Sequence, residues 1–271
     1  MSDEKPAGQS VTSRVLRILE AFESAPSSLS LTEIAQSADL PLPTAYRLVR
    51  ELTQWGALQK NAGGRYQVGL RLWEVAQHGG RQLRDAARPY LQDLFSLTQE
   101  TSHLAVRKGR EALYVDRVYS SKRVPRASRV GGRLPLHATA VGKVLLAYEE
   151  RWMWDAYVTA PLEAPTVRTH VQPARLLEEL ERIREQGYAT TFEEVRPGAC
   201  SIAVPVLDRA GVAVAALGLS VLSTQAAQMT RHLPVLRGVA TRIGASIDRW
   251  APVDLSARLP AATDTPGSHF R

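Results

Sequence analysis

Between Leu29 and Leu58 the apolar residues fall in two sets, Leu31, Ile34, Ala35, Ala38 and then Ala45, Leu48, Val49, Leu52, Trp55. Each set repeats near i, i+3, i+4 and i+7, the spacing of a helix with one face in a core. Ser30 and Glu33 fit a capping box at the first start. Pro43 suits the first turn of the second helix, where a missing N–H costs nothing. Asp39, Leu40 and Pro41 leave room only for a tight turn, because the residue before a proline is pushed out of helical geometry. The pattern predicts a helix-turn-helix. Its second helix carries Thr44, Tyr46, Arg47, Arg50 and Gln54 opposite the apolar stripe, and in that motif the second helix enters a DNA major groove.

An ordinary helical hairpin with a solvated polar face has the same pattern. The next stretch separates the two readings. Ala57 to Lys60 and Arg65 to Val68 are strand-like runs joined by Asn61, Ala62, Gly63 and Gly64, which is hairpin chemistry because glycine accepts positive φ. They predict a wing that brings Lys60 and Arg65 to the phosphates of a duplex. The expected DNA-binding set is Thr32, Pro43, Thr44, Tyr46, Arg47, Arg50, Lys60 and Arg65.

Around this core, Val11 to Ser24 keeps helical spacing through Val11, Val15, Leu16, Ile18, Leu19 and Phe22, which cover more than one face. GLRLWEVAQHGG predicts a short helix closed by Gly79 and Gly80, where a domain boundary is placed. RQLRDAARPYLQDLFSLTQET continues helically, with Pro89 predicting a break or restart near Arg88. The period then changes to two. HLAVRKGREALYVDRVYS alternates about Gly109 as an antiparallel hairpin, and KRVPRASRV reads as a third extended run. GGRLPLHATAVGKVLLAY passes from a loop into a helix near Thr139; Leu176 to Arg184 is another helix. GYATTFEE, SIAVPVLD and VAVAALGLSV alternate as strands, and a last amphipathic helix is expected from about Thr224 to Ile247. The fold class is therefore α+β: a winged helix-turn-helix at 10–69, a linker helix at 70–80, and an antiparallel sheet with flanking helices at 81–250 that could close over a small ligand. The polar start, 1–9, and the tail, 251–271, are expected to be disordered.

Charge sharpens this picture. The 271 residues carry a net +7. Residues 1–78 hold eight basic and eight acidic groups, yet 43–71 hold five basic residues against Glu51, so positive charge gathers on the second helix and wing. A separate surplus of seven lies in 79–133, where twelve basic groups meet five acidic ones. The single cysteine, Cys200, excludes an internal disulfide and a cysteine cluster and reads as a small buried hydrophobe. No run of about twenty apolar residues appears, and the start lacks the apolar stretch of a secretory signal, so a cytoplasmic protein with no membrane partner is expected.

The strings LPLPTAYRLVRELTQWG, YQVGLRLWEVA, ARPYLQDL, YVDRV, SRVGGRLPLHATAVGKVLLA, EEVRPGACSIAVPVLD and AALGLSV, in that order, resemble the IclR family of bacterial transcriptional regulators from about Ser10 to Trp250. The resemblance implies a C-terminal effector domain of GAF-like topology and dimers or tetramers on palindromic double-stranded operator DNA. It also implies an effector pocket at Arg123, Arg126, Leu134, Ala140, Val141, Thr191, Ala199, Ser201, Gly218 and Ser220. Family members often have cysteine where Ser201 stands, aspartate at Thr191 and serine at Gly218, so the ligand does not transfer from a relative. Arg123, Arg126, Arg129 and Arg133 crowd the strand and loop placed at that pocket. Guanidinium forks match carboxylates, so the expected effector is a small organic anion, most simply a carboxylate.

No catalytic constellation stands out. HATAVGKV has Lys143 after Gly142 like a phosphate loop, but His137 replaces its first glycine and Val144 its Ser or Thr. The six histidines, at 78, 103, 137, 170, 232 and 269, show no metal-ligand spacing, and no cofactor is expected. His137 reads as a loop-ordering donor. Glu193 and Glu194 are consecutive, which on a strand sends them to opposite faces, and they read as solvated or bound to a loop. The leading function is a ligand-responsive, non-enzymatic transcriptional regulator. The alternative is an enzyme or small-molecule sensor whose helix-turn-helix mediates protein association.

Overall fold

A computed structural model describes residues 10–23, 27–76, 81–122, 124–125 and 129–247. The expected disordered ends, the glycine boundary at 79–80, and both Arg123 and Arg126 lie outside the described residues. The chain divides into two compact units, Met1–Arg81 and Gln82–Arg271. No helix among the described residues is long and apolar enough to cross a membrane.

In the first unit, α1 (Val11–Glu20) starts at Ser10, whose side chain accepts the Ser13 N–H. The capping box forms at α2 (Leu31–Ser37): the Ser30 N–H donates to Glu33 Oε2 at 2.6 Å and the Glu33 N–H to Ser30 Oγ at 3.2 Å. After a turn through Asp39, α3 (Leu42–Trp55) follows, then β1 (Leu58–Lys60), β2 (Tyr66–Val68) and α4 (Leu70–Ala76). β1 and β2 pair antiparallel, and Leu29 bridges to Tyr66. Ile18, Ile34, Ala38, Leu48, Val49 and Leu58 form the core, as their helical and strand spacings require. Trp55 departs from its place in the apolar stripe. It is 44% exposed, and its ring lies 4.5 Å from the Arg71 guanidinium, a contact that an amphipathic residue at a helix end can make instead of entering the core.

The second unit is one antiparallel sheet with helices on both faces. Its elements are α5 (Arg81–Thr98), β3 (Thr101–Lys108), β4 (Glu111–Val118), β5 (Arg133–Pro135), a 3-10 turn (Leu136–Ala138), α6 (Ala140–Ala147), α7 (Arg151–Val158), α8 (Pro173–Gln186), β6 (Ala189–Phe192), β7 (Ala199–Leu207), β8 (Ala213–Leu222), a 3-10 segment (Ser223–His232) and α9 (Leu233–Ile247). The strand order is β5-β4-β3-β8-β7-β6. Side chains alternate across the pleat, so each strand feeds two cores. Leu104, Ile202, Val204, Leu217 and Leu219 pack with Leu91 and Leu94 of α5 and Val239 and Ile243 of α9. On the other face Ala105, Ala203, Ala216 and Ala189 meet Val141, Val144 and Leu145 of α6 and Leu176, Leu180 and Ile183 of α8. The alanines on this second face let α6 lie close to the sheet.

Four elements differ from the pattern-based expectation. Helix α5 runs through Pro89 without a break, because Leu83, Ala87, Leu91 and Leu94 anchor one face while Asp85 and Pro89, where a ladder hydrogen bond is forfeited, lie on the exposed side. The described residues of the run KRVPRASRV, 122, 124, 125, 129 and 130, lie in no strand: β5 begins at Arg133, after a turn in which the Gly132 N–H donates to Arg129 O. The last helix starts at Leu233 and not near Thr224, with Pro234 in its first turn, where its missing N–H is tolerated. Between the helix near Thr139 and Leu176 no element is expected, yet α7 stands there with Trp154 and Tyr157 buried.

Candidate functional sites: a polar helix face and a buried pocket

Helix α3 presents Pro43, Tyr46, Arg47, Arg50 and Gln54 to solvent with Thr44 half-buried beside them, while Ala45, Leu48 and Val49 face the core. Among the described residues Arg47 and Arg50 form no ion pair. Two unneutralised guanidinium groups one helical turn apart therefore stand on the face that the motif aims at DNA. Thr32, at the start of α2, and Lys60, at the end of β1, are exposed as well.

Arg65 differs. Its Nη2 donates to Glu33 Oε2 at 2.7 Å and to Ser28 O at 3.0 Å, so the guanidinium ties the wing to α2 before any phosphate is reached. The acceptor is the capping-box glutamate, a coincidence of fold that spacing alone does not disclose.

In the second unit, sheet register assembles a pocket. Thr191 of β6 lies opposite Ser201 of β7, Ser201 opposite Ser220 of β8, and Ser220 opposite Thr101 of β3, a row of four hydroxyl residues on the α6 face. Ser201 Oγ and Ser220 Oγ are 3.4 Å apart. The next row holds Arg117, His103, Gly218, Ala203 and Ala189. A cavity of about 30 Å³ sits here, lined by His103, Tyr114, Arg117, Pro125, Leu134, Thr139, Ala140, Thr191, Val195, Arg196, Ala199, Ser201 and Ser220. That volume holds one or two waters, so an organic ligand requires the walls to part.

Of the expected effector residues, Leu134, Ala140, Thr191, Ala199, Ser201 and Ser220 come together in this lining. Val141 is buried in the α6 core beside it, and Gly218 lies beneath the His103 ring. Of the four arginines that motivate an anionic ligand, Arg129 and Arg133 are exposed and absent from the lining, and Arg123 and Arg126 lie outside the described residues. Among the described residues the cations at the cavity are Arg117, only 5% exposed, and Arg196, an exposed residue at its edge. His103, Tyr114 and Arg117 belong to β3 and β4, strands whose alternation was legible but whose register across to β8 was not.

The HATAVGKV run has a structural duty. Thr139 caps α6 by accepting the Gly142 N–H at 3.0 Å, and a Cβ at Gly142 would stand 2.4 Å from Leu136 O. Lys143 is fully buried, its Nζ donating to Glu179 Oε1 at 2.8 Å and to both carboxylate oxygens of Glu194 at 2.9 and 2.8 Å. Glu194 is thus not solvated, and burial pushes its carboxyl up despite the Lys143 ammonium. The strand ends at Phe192, and Glu193 has φ 60, so the alternation argument fails there; its Oε1 accepts the Gly198 N–H at 2.6 Å. His170, Glu179 and Glu194 bring ligand atoms within 4.8 Å of one another, a convergence invisible in their spacing, but Lys143 already places a cation between the carboxylates. His137 orders a loop, its Nδ1 2.9 Å from the Tyr157 hydroxyl and its Nε2 2.7 Å from Glu163 O, and burial holds its imidazole below the usual range.

Comparison with known proteins covers both units. The family described as bacterial transcriptional regulator IclR C-terminal matches residues 76–245, and the IclR helix-turn-helix domain matches residues 11–62. The chain is 35% identical to the HTH-type transcriptional regulator XynR of Escherichia coli over 228 residues, 81% of this chain and 88% of that protein. It is 34% identical to the HTH-type transcriptional repressor AllR of Salmonella typhi over 79% of this chain and 80% of that one. Among solved structures, an IclR homolog from Microbacterium hydrocarbonoxydans complexed with 4-hydroxybenzoate superposes with a TM-score of 0.83 at 30% identity, covering 89% of this chain and all of that one.

Proposed function

We propose, on the premise that the chain belongs to the IclR family of bacterial transcriptional regulators, that it binds a palindromic operator through α3 and the wing and senses a small organic acid. The observation that carries the DNA-binding half is the pair of exposed guanidinium groups, Arg47 and Arg50, on the outward face of α3. Base edges accept such donors at about 1–3 kcal/mol of discrimination each, and phosphates attract them in a salt-dependent manner. Residues 10–69 form the DNA-binding domain in this reading, 70–80 a linker, and 81–250 the effector domain, in which the chain performs no catalysis.

Palindromic binding places two recognition helices in successive major grooves about 34 Å apart, so the working unit is a dimer or a tetramer. Val11 and Leu16 of α1 and Leu70 and Val75 of α4 are exposed large apolar residues suited to joining two copies. For sensing, the pocket's hydroxyl row and its arginines, Arg117 and Arg196, suit a carboxylate, and the similar Microbacterium protein carries 4-hydroxybenzoate. The test is fluorescence anisotropy with duplexes that the protein selects from a random pool. Retention that survives competitor DNA and shifts on adding a carboxylic acid supports the proposal; a monomer, or binding without sequence preference, contradicts it.

A further inference from the structure

His103 is 2% exposed and its Nδ1 has no hydrogen-bond partner among the described residues, although buried polar atoms are almost always paired. Its imidazole lines the cavity with Tyr114, whose ring centroid is 5.4 Å away. Gly218, directly across the β3–β8 pair, makes room for it: a Cβ there would stand 2.5 Å from His103 Nε2 and 3.0 Å from Cε1. Burial, with Arg117 nearby, holds the imidazole down to about 3, so at neutral pH it offers a hydrogen bond and no charge. Among the described residues, Arg117 on β4 and Arg196 bring charge to the lining.

We infer that His103 is a specificity-determining residue of the pocket, pairing its Nδ1 with the hydroxyl of a small hydroxycarboxylic acid whose carboxylate meets Arg117 and Arg196. This rests on the reading of the cavity as the effector site. A hydroxyl satisfies Nδ1 in either tautomer, donating to a bare ring nitrogen or accepting from an N–H, whereas a keto oxygen serves only the second. A deoxy acid leaves Nδ1 unpaired, and sites built to hydrogen-bond a hydroxyl discriminate against the analogue that lacks it. Gly218 acts with His103: it is the absence of a side chain on β8 that lets a β3 residue reach the ligand.

The test is calorimetric titration of the full-length protein with matched pairs, glycolate and acetate, lactate and propionate, 4-hydroxybenzoate and benzoate. In at least one pair the hydroxy acid should bind about tenfold more tightly, the effect of one well-placed hydrogen bond. His103→Phe fills the same volume without the nitrogen and should bring the two members within about twofold, while His103→Gln should keep part of the preference. Gly218→Ala, which displaces the ring from another strand, should behave like His103→Phe; thermal melts confirm that each variant is folded. No preference in the wild type, or one that survives His103→Phe, overturns the role of His103 and leaves the pocket standing. If no acid binds, or all bind the wild type, Arg196→Ala and Ser201→Trp alike, the pocket reading fails and the inference with it.

Discussion

The two units handle positive charge in opposite ways. On α3, Arg47 and Arg50 stay in water, paired with nothing among the described residues, and their charge is available to a distant polyanion. In the sheet unit Lys143 is wholly buried and Arg117 nearly so, and buried acids share the interior: Glu194 is bonded to Lys143, and Asp116 is bonded at 2.7 Å to Arg88. Exposed charge costs little to fold and is screened by salt; buried charge must be matched, but then it can read a single functional group. The first suits a long ligand met from outside, the second a small one enclosed.

The largest expected effect tests the buried side. Lys143→Met leaves Glu194 buried without its cation and should destabilise the protein by about 3–5 kcal/mol in urea unfolding. Adding Glu194→Gln should recover part of the loss. Retention of full stability in the single variant would erase the contrast between the two units.

On the exposed side, Arg47→Ala and Arg50→Ala should each weaken operator binding by about 1–3 kcal/mol and change folding stability by less than about 0.5 kcal/mol. A phosphate contact among them also flattens the salt dependence by about one unit of slope. Unchanged affinity in both variants would remove α3 from the interface.

A pH series sharpens the comparison further. The folded imidazole of His103 is held down to about 3 and those of His137 and His232 are also lowered, all by burial first, so the unfolded chain takes up protons near 6.5 that the folded chain refuses. Stability is complete above about 6.5 and is lost as pH falls toward 3, with a slope of at most about 1.4 kcal/mol per pH unit for each histidine. The raised Glu194 carboxyl works in the opposite sense, so the informative quantity is the difference between wild type and His103→Phe, which should lose one histidine's share of the slope. An identical slope would show that burial does not lower the imidazole of His103 in the fold.

The smallest effect is expected at Arg65, whose charge is already shared with Glu33. Arg65→Met should weaken operator binding by no more than about fivefold, the range of a solvent-exposed ion pair. A loss as large as that of Arg47→Ala would return Arg65 to direct phosphate contact.

The sequence by itself determined the helix-turn-helix, its capping box and its outward polar face, because these depend on neighbours three or four residues apart, and a helix turns that spacing directly into a shared side. It also determined that β3, β4, β7 and β8 alternate, while the family resemblance pointed to Ala140, Ser201 and Ser220, which line one cavity. Only the tertiary structure decided which charges of the described residues stand at that cavity. Arg117 and His103 reach it because β3 pairs with β4 and β8 in one register, and Gly218 leaves the space; a slip of one residue would send all three to the α5 face. Likewise Lys143 and Glu194 are 51 positions apart, and Arg65 and Glu33 are 32 apart. Local periodicity fixes which side of an element a residue occupies, but which distant charge lies opposite is settled only when the elements pack.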